Sequence, residues 1–334
     1  MQTLRMLGKS AVEWTDDRDP EPGPGEVLIE TAVTLLCGSE LHAYRQAGMP
    51  RGNLGHEAAG TVKQLGAGVT TLKLGQRVGA SAISGCGTCQ ACQKQQFTWC
   101  VKNRFYGNMH AERFVVAAAA CNPLPDDLAW DLGVLLSGDG LGVPYHTSRK
   151  ITSPDIRTVA VFGAGPIGLG NVLLQAHLGR RVIVVDISDY RLDLARKLGA
   201  SDTVNPKHDD AVKAIRTLTA DAGPDVCIEA AGRSETALQC FAAVRTGGTV
   251  AFNGEQAALP LSPSDHFIRR DITAFGSWYY HFSECPEMLA LHRNGLPTAK
   301  LITHHYPHTQ APAAFENFSA GLTGKVVLHY AGEK

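Results

Sequence analysis

The chain has 334 residues, 44% of them hydrophobic, and a formal net charge of −1. That length suggests two domains, and no apolar run is long enough to span a membrane. A charge balance so near zero argues against electrostatic capture of nucleic acid or of an anionic lipid surface. The opening Met1–Leu7, interrupted by Gln2, Thr3 and Arg5, does not read as a secretory leader. The nine cysteines are an odd count, so a reducing, cytoplasmic setting is expected.

From residue 25 to 145 the chain is rich in Gly, Val and short strand-like runs, introduced by the turn signal Pro22-Gly23-Pro24-Gly25. This stretch reads as a β-rich domain. Inside it lie Cys37-Gly38-Ser39-Glu40-Leu41-His42 and then Gly55-His56-Glu57. Each motif alone is weak, because a single Cys or His on an apolar strand more often packs than ligates. Further on, Cys86, Cys89, Cys92 and Cys100 are spaced C-x2-C-x2-C-x7-C. Four converging thiolates meet the tetrahedral demand of Zn²⁺ and leave no open position, so the lobe at 86–100 reads as structural. Iron–sulfur ligation uses the same four residues. A nucleic-acid zinc ribbon would want more basic residues than Lys94, Lys102 and Arg104.

The centre of the chain changes character. Thr158–Phe162 is a short apolar run, followed by Gly163-Ala164-Gly165-Pro166-Ile167-Gly168, a helical stretch Leu169–Leu178, and a second buried run Arg181–Val185 ending at Asp186. Strand, G-x-G-x-x-G turn, helix, strand and acid is the order of a dinucleotide-binding unit. The glycines let the backbone approach a pyrophosphate, and the helix N-terminus offers it free N–H groups. Asp186 can accept both ribose hydroxyls and would repel a 2′-phosphate, which favours NAD over NADP; Arg191 reads equally as a second ribose contact or as a solvated helix residue. Asp225–Glu229, Thr249–Asn253 and Ile272–Trp278 read as further strands. Tyr190–Leu198, Asp210–Thr219 and Ser234–Ala243 read as the helices between them. This alternation predicts an α/β fold with a doubly wound parallel sheet. Near the end, His304-His305-Tyr306-Pro307-His308 invites a metal reading, which is disfavoured because adjacent strand residues face opposite ways.

Beside a dinucleotide domain, the Cys37 and His56 motifs suggest an open zinc site, with three protein ligands and one exchangeable position. With these motifs the chain resembles the zinc-dependent medium-chain dehydrogenase/reductases, the alcohol dehydrogenase superfamily. It is nearer their polyol and threonine dehydrogenase branches than the ethanol enzymes. The resemblance runs from Pro24-Gly25-Glu26-Val27 to Gly324-Lys325-Val326-Val327. It implies a GroES-like catalytic domain over 1–145 and 281–334 and a Rossmann domain over 146–280. It implies two zinc ions per chain, one held by Cys37 and His56 with Glu57 and Asp139 dividing the remaining positions, the other by the four-cysteine lobe. Ser39 matches the hydroxyl that takes the substrate's proton and His42 the imidazole that passes it to water. Glu40 stands where relatives carry an Asp that orients a ligand histidine, and Tyr279 where polyol relatives carry an Arg.

The activity so implied is oxidation of a secondary alcohol (a polyol, sugar, cyclitol or hydroxy-amino acid) to a ketone by NAD⁺. A homodimer or homotetramer is expected. Two other readings compete. One is a reductase of the same fold without catalytic zinc, which the retained Cys37 and His56 oppose. The other is a non-enzymatic NAD-binding redox sensor, which would need no proton relay through Ser39 and His42.

Overall fold

The computed structural model describes residues 1–330. The chain divides into two compact units. One comprises residues 1–142, 280–294 and 302 onward, and the other residues 143–279 and 295–301. The sequence-derived boundaries leave 295–301 with the C-terminal return, whereas Gly295–Leu301 joins the second unit. The last residues of the expected return segment, 331–334, lie outside the described residues. Among the described residues no helix is long and apolar enough to cross a membrane.

The first unit is built on the strand Glu26–Leu35. Its ten residues are long enough to pair with three neighbours: Ala58–Leu65, Arg113–Ala117 and Lys325–His329, all antiparallel. The sheet runs from Ile302–Pro307 through Lys325–His329, Glu26–Leu35, Ala58–Leu65 and Arg77–Ala80 to Cys121–Pro123. Leu4, Met6, Leu36, Tyr44, Phe315, Phe318, Val326 and Leu328 form a core that ties the N-terminal hairpin, the helix Leu41–Arg45 and the C-terminal helix Ala311–Ser319 to this sheet.

The second unit is a six-stranded, wholly parallel sheet in the order Asp202–Val204, Arg181–Val185, Thr158–Phe162, Val226–Glu229, Thr249–Phe252, Thr273–Gly276. The inner strands are unbroken apolar runs because both faces are covered by helices. Phe162, Ile183, Val185, Ile215, Phe241 and Val250 pack one such face. The order reverses on either side of Thr158–Phe162, which creates the crevice where such sheets bind ligands. The predicted strands Thr158–Phe162 and Arg181–Val185 and the helix Ser234–Ala243 are found with those bounds. The edge strand Asp202–Val204 was not foreseen, since three residues carry no legible alternation.

The turn after the first strand explains its glycines. Gly163 has φ +95°, and a Cβ on Gly168 would lie 1.8 Å from the Gly163 carbonyl oxygen, whereas one on Gly165 would meet nothing within 4 Å. Gly165 is also the N-cap of the helix Pro166–His177, where Pro166 sits in the first turn. Gly168→Ala should therefore cost about 1–3 kcal/mol of stability in urea unfolding by overpacking. Gly165→Ala should leave the unfolding midpoint in place and show its effect on dinucleotide affinity instead.

Candidate active site

Two chain reversals bring the first cluster together. Cys37 follows the strand Glu26–Leu35, and His56 and Glu57 precede Ala58–Leu65. Antiparallel pairing sets Thr34 opposite Ala58, and Leu35 N donates to the Glu57 carbonyl at 3.0 Å. The far end of one strand and the start of the next thus deliver Cys37 and His56 to the same place. Asp139 arrives as the first residue of the helix Asp139–Lys150. Ligand atoms of Cys37, His56, Glu57 and Asp139 all lie within 4.8 Å of one another, in a largely buried pocket of side chains.

Their chemistry fits a cation. The Nδ1 of His56 lies 2.8 Å from the Leu54 carbonyl oxygen, which can only accept, so the proton belongs on Nδ1. That leaves Nε2 as the nitrogen directed into the cluster, 3.1 Å from Asp139 Oδ2, with Cys37 Sγ at 3.6 Å from the same oxygen. Zinc bonds of 2.0–2.3 Å arranged tetrahedrally require ligand–ligand edges of about 3.3–3.8 Å. The other carboxylate oxygen, Asp139 Oδ1, is buried with no hydrogen-bond partner. Burial disfavours a proton on His56, but the facing Cys37 and Asp139 outweigh it and hold the imidazole well above its ordinary pKa. The pocket therefore attracts positive charge.

Glu57 is engaged differently. The Lys325 ammonium pairs with Glu57 Oε1 and also donates to the Leu36 carbonyl at 3.2 Å, and Gly140 N approaches Glu57 Oε2 at 3.4 Å. Both members of the pair are fully buried. Burial alone would discharge Lys325, yet Glu57 and then Cys37 raise it above its ordinary pKa. A Cβ at Gly138 would come within 2.4 Å of Glu57 Oε2, so that glycine makes room for the carboxylate.

Glu40 hydrogen-bonds elsewhere than to His56, in keeping with its extra methylene. One oxygen accepts from Cys37 N at 2.8 Å and the other faces His110 Nε2 at 2.9 Å; His110 Nδ1 in turn faces Thr34 Oγ1 at 2.8 Å. All three side chains are buried. Burial raises the Glu40 pKa, but His110 and the hydrogen bonds reverse that and hold it below its ordinary value. His56 is instead oriented by a backbone carbonyl, and Glu40 braces the Cys37 turn.

Ser39 and His42 are exposed, Ser39 in the 3-10 turn Gly38–Glu40 and His42 in the first turn of the helix Leu41–Arg45. Tyr279 is buried, at φ +55°, and so presents no surface group in place of the expected Arg. Sequence reasoning missed Lys325 and His110 as contributors. The available signal for Lys325 was a lysine opening an apolar strand, a placement that is costly unless the charge is paired.

In the cysteine lobe the four sulfurs also lie within 4.8 Å of one another. Cys89 and Cys92 sulfurs are 3.5 Å apart and those of Cys86 and Cys92 3.9 Å, far beyond a disulfide bond. A tetrahedral S4 site with bonds near 2.3 Å has edges of about 3.8 Å. The Thr88 hydroxyl, followed by the Thr88 and Cys89 amides, lowers the Cys86 thiol to about 5, which favours the thiolate. In the second unit, Asp186 accepts from Ala164 N at 2.7 Å and Ser188 N at 2.8 Å. Its carboxylate is thereby fixed beside the glycine turn. Arg191 lies on the following helix, Asp189–Lys197, capped by Ser188.

A dinucleotide-type parallel sheet, a four-thiol lobe and a buried Cys–His–carboxylate pocket define a zinc dehydrogenase. Residues 166–294 match the zinc-binding dehydrogenase family model and residues 23–126 the alcohol dehydrogenase GroES-like domain. An L-threonine 3-dehydrogenase of Chromobacterium violaceum is 30% identical over 98% of both chains. Another, from Pyrococcus horikoshii, is 32% identical over 92% of both. An alcohol dehydrogenase structure from Thermus sp. ATN1 superposes with a TM-score of 0.88 at 27% identity, covering 99% of this chain and 100% of that one. The chain belongs to the zinc-dependent medium-chain dehydrogenase/reductase superfamily. It is an oxidoreductase that uses zinc and a nicotinamide dinucleotide.

The buried Glu57–Lys325 pair carries a specific expectation. Lys325→Met should destabilise the protein by roughly 3–5 kcal/mol, because it strands a buried carboxylate. Adding Glu57→Gln to that variant should recover much of the loss. Urea midpoints of the two variants against the parent measure both effects.

Proposed function

We propose that this dehydrogenase oxidises a secondary alcohol flanked by polar groups to the ketone, with NAD⁺ as acceptor and the reverse reaction available. A hydroxy-amino acid is the favoured substrate class, with polyols, sugars and cyclitols as alternatives. The likeness to L-threonine 3-dehydrogenases supports that order. The observation that carries the reading is the convergence of Cys37, His56 and Asp139 donor atoms.

Cys37, His56 and Asp139 would hold the catalytic zinc, and Cys86, Cys89, Cys92 and Cys100 the structural one. Glu57 stands behind the first set, its charge answered by Lys325. When bound, zinc supplies Lewis acidity to an alcohol hydroxyl, and the nicotinamide ring supplies the hydride acceptor. Leu54 keeps the His56 proton on Nδ1, so Nε2 stays available as a donor atom. Glu40 holds the Cys37 amide and fixes the turn on which Ser39 stands. Ser39 takes the substrate proton and His42 passes it to water, both from exposed positions next to Cys37.

Gly163, Gly165, Pro166, Ile167 and Gly168 would cradle the dinucleotide pyrophosphate at the helix N-terminus. Asp186 would accept the adenosine ribose hydroxyls, with Arg191 beside it. Its preorganisation by two backbone amides supports NAD over NADP. A homodimer or homotetramer in the cytoplasm completes the proposal.

A panel of hydroxy-amino acids, polyols and cyclitols, followed by NADH absorbance, tests the substrate class. In the same assay Cys37→Ser should abolish turnover while NAD binding, read by fluorescence, stays close to the parent. Full activity in that variant would remove Cys37 from the site. Asp186→Ala should weaken NAD and narrow the gap to NADP; an unchanged NAD affinity would count against the ribose role.

A further inference from the structure

A second group of ligating side chains lies in the first unit, away from the cluster around Cys37. The strands Ile302–Pro307 and Lys325–His329 pair in parallel, with His305 opposite Val327. His329 is two residues beyond Val327, so strand alternation puts it on the same face as His305. Asp131, in the first turn of the helix Trp130–Leu136, meets them there. His305 Nδ1 lies 3.1 Å from His329 Nε2 and 3.3 Å from Asp131 Oδ2, and His329 Nε2 lies 3.6 Å from Asp131 Oδ1. The two imidazole rings stack with centroids 5.4 Å apart.

Protons fit this triangle poorly, because the distances to the two Asp131 oxygens are long for hydrogen bonds. If His305 Nδ1 carries a proton, that proton can be given to His329 Nε2 or to Asp131, not well to both. If His329 Nε2 also carries one, each N–H must turn to its own Asp131 oxygen, at 3.3 and 3.6 Å, while the two nitrogens sit 3.1 Å apart. If it does not, its lone pair faces a carboxylate oxygen. That oxygen, Asp131 Oδ1, is buried and has no hydrogen-bond partner. A divalent ion gives the two nitrogens and a carboxylate oxygen of Asp131 one common partner. Tetrahedral bonds of 2.0–2.1 Å to nitrogen and oxygen require edges of about 3.3–3.4 Å, close to the 3.1 Å between the two nitrogens and the 3.3 Å from His305 Nδ1 to Asp131 Oδ2. His305 is exposed, which leaves a fourth position to water.

The neighbouring histidines are turned elsewhere. His304 Nδ1 faces Thr303 Oγ1 at 2.9 Å, and its ring lies parallel to that of Tyr306. His308 stacks on Tyr330. The ligand set is therefore a cross-strand pair plus a helix residue, not the contiguous histidine run.

We propose that Asp131, His305 and His329 form an additional metal site for a borderline divalent transition ion such as Zn²⁺, with solvent as the remaining ligand. The ion would tie the first turn of the Trp130–Leu136 helix to the last two strands of the sheet. The helix leads to Asp139 and the final strand begins at Lys325, so the clamp secures two segments that also furnish the Cys37 pocket.

The test uses the full-length holoenzyme dialysed to equilibrium against micromolar Zn²⁺, with metal counted by mass spectrometry. The parent should retain one more equivalent per chain than His305→Ala or His329→Ala. The isosteric Asp131→Asn should weaken uptake at that site roughly tenfold or more. Added Zn²⁺ should raise the thermal midpoint of the parent and not that of the histidine variants. Cys37→Ser removes a different equivalent, so the difference between parent and His305→Ala must persist in that background whatever becomes of the catalytic reading. Circular dichroism of the half-exposed variants should match the parent, and Asp131→Asn keeps the shape of the residue. Equal metal content in the parent and both histidine variants, with equal midpoints, overturns the proposal.

Discussion

The catalytic unit is organised around the need to compensate buried charge. A thiol, an imidazole and two carboxylates converge where water is largely excluded, and removing such groups from water costs several kcal/mol each unless opposite charge is supplied. The fold supplies part of that charge itself. Lys325 answers Glu57 from inside the same pocket, and both side chains are fully buried. What remains unanswered is the face formed by Cys37 Sγ, His56 Nε2 and Asp139, with one carboxylate oxygen lacking any hydrogen bond. The pocket is thus preorganised for a cation, with one carboxylate paired to a lysine and the other left open.

Rigidity at that face comes from backbone rather than from long side-chain networks. Strand register brings the Cys37 and His56 turns together, and the Leu54 carbonyl fixes the His56 tautomer. Glu40 works from beneath the same turn. Its carboxylate reaches His110 and the Cys37 amide, building a buried Thr34–His110–Glu40 chain. The second unit uses the same economy. Gly163 and Gly168 are required by backbone contact, while a Cβ on Gly165 would meet nothing within 4 Å.

Sequence and structure can be set against each other residue by residue. The four-cysteine lobe, the glycine turn with Asp186, and the parallel sheet were legible because their signals are local: fixed spacing, a turn chemistry, and apolar runs between helices. Helix and strand limits in the second unit shifted by a few residues at most, as at Ile272–Trp278, which narrows to Thr273–Gly276. Lys325 and His110 were not legible as parts of the pocket. Their partners Glu57 and Glu40 are 268 and 70 residues away in the chain, and no spacing rule connects such positions. His305 and His329 escaped for the same reason, since a histidine run invites a reading along one strand and the contact is across two.

The sequence by itself determined the fold class, the glycine-rich turn and the inventory of residue types able to ligate a metal, because each depends on short-range periodicity or on chemistry written into neighbouring positions. Only the tertiary structure decided which carboxylate faces the Cys37–His56 pair, which one is neutralised by Lys325, and what Glu40 braces. Those outcomes depend on where separate strands and helices end in space, and a burial penalty is felt only once the surrounding chain has closed over the charge.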